Sequence, residues 1–133
     1  MKQGKVEEQV SKKKILVIDD EKDFGRVIQL GLERFGFYEV DLTTNGFDGL
    51  RQIAEEAYDV IILDILMPIM EGQEVLKRIK AVSDTPVVIL SAYIPPQMEE
   101  EIIRQGAFAC VRKPIEQDQL ILIIHKALAS RLD

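Results

Sequence analysis

Residues 59–64 read Asp-Val-Ile-Ile-Leu-Asp, an unbroken apolar tetrad closed by a carboxylate. A strand with no polar alternation is buried on both faces, as central strands of parallel sheets are. Asp64 is then the residue at which that strand runs out. Two other stretches have the same form. Residues 14–20 read KILVIDD and end at Asp19 and Asp20, and residues 86–91 read PVVILS and end at Ser91. Residues 38–42, YEVDL, alternate polar with apolar in the manner of an edge strand. A short apolar run at 108–111 comes before Lys113-Pro114 and supplies a fifth strand.

The intervals between these strands carry a helical period. After Asp20, Phe24, Val27, Ile28, Leu32 and Phe35 fall on one face until Gly36 stops the helix. The second helix follows Asn45-Gly46 with Leu50, Ile53 and Ala54 inward, and the third begins near Gly72 with Val75, Leu76 and Ile79. The fourth opens at Pro95-Pro96, where proline suits a first turn, and Glu99, Glu100 and Glu101 lie near the positive end of its dipole. Residues 116–131 form the last helix, with Leu120, Ile123, Ile124, Ala127 and Leu128 spaced for burial. Five βα units with right-handed crossovers and strands 1, 3 and 4 central give a doubly wound, three-layer α/β/α fold of (βα)5 form. The expected order is 2-1-3-4-5, with a crevice where strands 1 and 3 diverge.

At 133 residues the chain is one domain, read as a flexible leader over 1–11 and a folded unit over 12–133. A formal charge of −6 argues against direct nucleic-acid binding, which needs clustered Lys and Arg. No apolar run approaches the ~20 residues of a membrane span, and the polar N-terminus lacks a secretory core, so the cytoplasm is the expected location. The single cysteine, Cys110, cannot form an internal disulfide and is read as a buried, reduced thiol.

The polar residues that interrupt these apolar strands all fall at one edge: Asp19 and Asp20 after strand 1, Asp64 after strand 3, Ser91 after strand 4, Lys113 after strand 5. Two carboxylates ~5 Å apart repel by ~3 kcal/mol at an effective dielectric of ~20, so such a cluster calls for protons or a cation. Mg²⁺ suits it, being content with oxygen ligands and with few protein groups. Asp20 and Asp64 are the candidate direct ligands, Lys113 a compact positive charge opposite them, and Ser91 a hydroxyl able to donate to an anion.

Asp19-Asp20, the run from Asp64 through Met67-Pro68 to Gly72, Ser91-Ala92, Gly106-Ala107 and Lys113-Pro114 together resemble the response-regulator receiver family of two-component signalling, over about residues 13–131. The resemblance implies a flavodoxin-like phosphoacceptor domain in which Asp64 accepts a phosphoryl group from a sensor histidine kinase or phosphotransfer protein. It implies Mg²⁺ held by Asp20, Asp64 and the Leu66 backbone carbonyl, with Asp19 acting through water. It further implies that Lys113, Ser91 and the Ala92 amide grip the phosphoryl group, that Ser91 acts as a switch, and that the Lys113-Pro114 bond is cis. The switched surface is helix 4, strand 5 and helix 5, which serves a downstream effector or a homodimer. No turnover of a separate substrate is implied, so the protein is not expected to be an enzyme.

Cys110 stands where receivers usually carry the switch aromatic, and is read as a small filler in place of a redox thiol. That leaves a phosphorylation-independent interaction module as the alternative. Leu66 and Tyr93 are expected to flank the phosphoryl group and to slow its hydrolysis. His125 is read as a boundary residue, Met67 and Met70 as loop packing, and Ile121 with Leu122 as a partner or dimer surface as readily as scattered exposed apolar residues. A phosphohydrolase would need an acid where Leu66 stands. A flavin binder would need a phosphate cradle where Asp19, Asp20 and Glu21 stand, and their charge would repel the anion.

Overall fold

The computed structural model describes residues 11–66 and 72–131. The leader, apart from its last residue, and the expectations for Met67 and Met70 lie outside the described residues, as do residues 132 and 133. Five strands, β1 (Lys13–Ile18), β2 (Tyr38–Thr43), β3 (Val60–Leu63), β4 (Val87–Ser91) and β5 (Ala109–Arg112), alternate with five helices. The helices are α1 (Lys22–Glu33), α2 (Gly46–Glu55), α3 (Gly72–Val82), α4 (Pro96–Arg104) and α5 (Gln117–Ser130). The sheet is parallel with order β2-β1-β3-β4-β5, as the distribution of apolar runs requires.

Because side chains alternate across a strand, the apolar tetrads split evenly between two cores. Leu16, Ile18, Ile61, Leu63, Val87 and Ile89 meet Val75, Leu76 and Ile79 of α3 and Ile102 of α4. Ile15, Val17, Val40, Ile62, Val88 and Leu90 meet Ile28 and Leu32 of α1 and Leu120, Ile124 and Ala127 of α5. The first core also takes Leu50 and Ile53 of α2. Full burial of one such side chain contributes about 1.5–3 kcal/mol, so neither face of the central strands can be exposed cheaply.

Three apolar residues assigned inward by period are not buried. Val27 is 65% exposed, because the buried stripe of α1 is Gly25, Ile28 and Leu32 with Phe24 packed beside it, and Val27 lies about 100° round the helix. Phe35 is 46% exposed because α1 has ended, with Arg34 as its cap and Gly36 at φ +79°. Ala54 is exposed, since the stripe of Gly46, Gly49, Leu50 and Ile53 leaves it about 90° off. The last strand boundary also shifts, to begin at Ala109, although Phe108 already donates its N–H to the Val87 carbonyl at 2.8 Å.

Two glycines bring helices against the sheet's carboxyl edge. A Cβ on Gly49 would stand 2.6 Å from Ile18 Cδ1, and one on Gly72 would stand 2.1 Å from the Cα of Ile65 and 2.9 Å from the Asp64 carbonyl. Gly72 also donates its N–H to the Ile65 carbonyl at 3.2 Å, so the start of α3 is locked onto the loop that carries Asp64. Since the obstacle at Gly72 is backbone, Gly72→Ala will lower stability by about 2 kcal/mol. Urea denaturation checks this, and an unchanged midpoint would refute the close approach.

Candidate functional site

The site is assembled by the backbone ladder running one residue past each strand. Asp19 donates its N–H to the Thr43 carbonyl at 3.0 Å, Asp64 to the Ile18 carbonyl at 3.0 Å, and Lys113 to the Ser91 carbonyl at 2.9 Å. Neighbouring strands thus hold the backbone of each functional residue in register. Both buried acids then fold back on their own loops, Asp19 Oδ1 accepting from the Glu21 N–H at 2.8 Å and Asp64 Oδ1 from the Leu66 N–H at 2.9 Å. Asp19 and Asp64 are each 4% exposed, whereas Asp20 is open to solvent.

Oxygens of Asp19, Asp20 and Asp64 lie within 4.8 Å of one another, the spacing at which a hard cation can be shared. Lys113 faces them with its side chain 8% exposed, its Nζ 2.9 Å from Asp19 Oδ2 and 3.4 Å from Asp64 Oδ2. The sequence expectation thus places Asp19, Asp20, Asp64 and Lys113 together, and the structure does so. Lys113-Pro114 is cis, also as expected. Ser91 is the final residue of β4, fully buried, and its Oγ has no hydrogen-bond partner among the described residues. A buried hydroxyl without a partner costs about 1–3 kcal/mol. Ala92, Leu66 and Tyr93 are exposed beside that edge, Leu66 to 48% and Tyr93 to 61%.

Burial pushes the Asp19 carboxyl above its ordinary range, against the lowering effect of its bonds to Lys113 and to the Glu21 N–H. Burial also acts to lower Lys113, but the carboxylates of Glu21, Asp19 and Asp64 outweigh it and the ammonium is held raised. The shared charge is therefore stabilised by the lysine from one side only. A groove of about 370 Å³ lined by Asp19, Lys22, Gly25, Thr43 and Asp48 adjoins the acids. A larger one, about 820 Å³ beside Tyr58, Thr85 and Arg131, lies away from the acids and shares no residue with them.

Two members escaped the sequence reading. Glu21 Oε1 is 2.7 Å from Lys113 Nζ, and the ammonium also stands 4.0 Å from the centre of the Phe24 ring. The available signal is position, since Glu21 directly follows the aspartate pair and Phe24 lies one helical turn on, but the helical period by itself accounts for Phe24 as core. His125 is exposed, yet its ring stands 6.4 Å from that of buried Tyr38, at the rim of the second core. Cys110 is half-buried in β5 instead of fully so; burial first and Glu99 second push its thiol up to about 11, which keeps it protonated and unreactive. Leu122 is 54% exposed and Ile121 packs partly against the second core.

An acidic cluster, a facing lysine and a buried hydroxyl at the carboxyl edge of a 2-1-3-4-5 sheet define a receiver-type site. Residues 15–125 match the family model of the response regulator receiver domain, and the chain belongs to that family. It is 41% identical over 117 residues to the uncharacterized transcriptional regulatory protein YkoG of Bacillus subtilis, a match covering 86% of this chain and 50% of that protein. It is 36% identical over 116 residues to the regulatory protein AtoC of Escherichia coli, covering 86% and 25% respectively. The chain therefore spans half or less of the length of these curated relatives. Among solved structures, a CheY-like response regulator receiver domain protein from Methanospirillum hungatei superposes with a TM-score of 0.84 at 28% identity, covering 90% of this chain and 96% of that one. The receiver domain of the Francisella response regulator 1452 gives 0.82 at 31% identity, covering 90% and 98%. No helix among the described residues is long and apolar enough to cross a membrane.

Replacing Lys113 by methionine removes the only cation in contact with Asp19 among the described residues. Lys113→Met will lose about 3 kcal/mol of stability at pH 7 in the presence of EDTA. The deficit shrinks as pH falls, because the bond to Lys113 lowers Asp19 in the unaltered protein, so without it the variant's native state takes up a proton at higher pH than the unaltered native state does. Denaturant melts from pH 7 to 4 check this, and a pH-independent deficit would contradict it.

Proposed function

We propose that this domain is a phosphoacceptor: Asp64 takes a phosphoryl group from a phosphohistidine of a sensor histidine kinase or phosphotransfer protein, in the cytoplasm. The observation that carries the reading is the surroundings of Asp64, a nearly buried carboxylate with two acids and an ammonium about it and, at the end of the neighbouring strand, a hydroxyl with no partner among the described residues. The donor set is all oxygen, which fits Mg²⁺. Asp20, Asp64 and the Leu66 carbonyl would hold the ion directly, and Asp19 through water. When bound, it offsets the charge gathered on the phosphoryl oxygens.

An Asp64 carboxylate oxygen forms the bond to phosphorus as the phosphorus–nitrogen bond breaks, and its electron pair stays on the histidine nitrogen. The carboxylate needs no general base, so placement and charge neutralisation do the catalysis. Lys113 bonds one phosphoryl oxygen, and the Ser91 hydroxyl with the Ala92 amide bonds another. Satisfying the Ser91 hydroxyl draws the loop after β4 inward and biases the surface of α4, β5 and α5 toward an active arrangement. That surface serves a downstream effector domain or protein, or a second copy of the chain. The acidic domain makes no direct nucleic-acid contact, and it turns over no separate substrate.

Intact mass after incubation with Mg²⁺ and a small acyl phosphate will show one added phosphoryl group, absent in Asp64→Asn and in EDTA. No gain of mass in the unaltered protein would favour the second reading, an interaction module independent of phosphorylation, for which the absence of an aromatic at Cys110 speaks. Leu66 and Tyr93 flank the phosphoryl group and exclude the attacking water. Leu66→Asn with Tyr93→Ala will therefore shorten the phosphoryl lifetime, read by the decay of the added mass. An unaltered lifetime would remove both residues from that role.

A further inference from the structure

The ammonium of Lys113 has three N–H donors and three carboxylates about it: Glu21 at 2.7 Å, Asp19 at 2.9 Å and Asp64 at 3.4 Å. The contacts are unequal in two respects. The nearest partner is the one that belongs neither to the acid cluster nor to the phosphoacceptor. It is also the only one of the three with ready access to water, its side chain 63% exposed against 4% for Asp19 and 5% for Asp64. We infer that Glu21 is a displaceable counter-ion, which occupies a donor of Lys113 in the unmodified protein and surrenders it to a phosphoryl oxygen on Asp64. This rests on the phosphoacceptor reading above and assigns the reaction a positioning residue.

The argument is one of relative cost. An ammonium already engaged by three carboxylates takes a new oxygen most readily in place of an old one. Freeing Asp19 would strand a buried carboxylate, whereas freeing Glu21 returns a surface carboxylate to water at small expense. The Phe24 ring, 4.0 Å from Nζ, keeps the ammonium partly desolvated and oriented while the exchange takes place. Glu21 also adds a negative charge close to where a phosphoryl dianion arrives. It therefore favours a cation at the acid cluster and opposes the modified state, two effects of opposite sign from one group.

That opposition gives the test. With Glu21→Gln, the affinity for Mg²⁺, measured by titration of the unmodified protein, falls roughly threefold, while the rate of phosphorylation by a small acyl phosphate at saturating Mg²⁺ rises roughly threefold. Glu21→Asp, which keeps the charge, stays near the unaltered protein in both. A general distortion would lower both quantities together, and that outcome, or no change in either, overturns the proposal. Failure of the two readings is separable. Absence of any phosphorylation in the unaltered protein sinks the phosphoacceptor chemistry and the exchange with it, whereas normal phosphorylation with Glu21→Gln indistinguishable sinks the exchange alone.

Discussion

The structure turns on the neutralisation of two nearly buried carboxylates by one lysine. Asp19 and Asp64 come from strands that are adjacent in the sheet and remote in the chain, and Lys113 comes from the opposite edge. Bringing three charged groups out of water is tolerable only because each is held twice, by its backbone in the strand ladder and by its side chain in a short local turn or an ion pair. The parallel sheet supplies that rigidity. Its two apolar faces, both covered by helices, fix the strand ends against each other so that the acids cannot separate to relieve their repulsion.

The same constraint explains the close helix approaches. Gly49 lets α2 come down on Ile18, the residue before Asp19, and Gly72 lets α3 come down on Ile65, the residue after Asp64. Side chains at these two positions would push the helices off the strand ends they pin. Glycine normally weakens a helix by about 1 kcal/mol relative to alanine, so here local propensity yields to the need to secure the site.

The fold and the principal site were legible because both depend on pattern. DVIILD and KILVIDD announce buried parallel strands ending in acids, and strand order alone then brings Asp19, Asp20 and Asp64 to one place. Where pattern and structure differ, the cause is local geometry below the resolution of a period. Val27 and Ala54 lie about a quarter turn from the buried stripes, and Phe35 follows the helix end. Glu21 escaped because its importance is a distance to a residue far along the chain, and nothing in its own neighbourhood encodes the position of Lys113. Cys110 was expected to be buried by the apolar run around it, yet β5 is an edge strand and leaves it half covered.

The parity of the strands also decides which side chains Ser91 faces. Ser91 pairs in register with Arg112 and Ile89 with Cys110, so these four side chains share one face of the sheet, the face covered by α3 and α4. α5 packs on the reverse face. On the near face, Arg112 reaches across to the Ile94 carbonyl at 2.8 Å and to Glu99 at 3.4 Å, tying β5 to the front of α4. Cys110 places only a small thiol on that face. The guanidinium of Arg112 thus joins β5 to the segment after β4 and to α4 by bonds that lie at the surface, where salt and solvent can weaken the ion pair to Glu99.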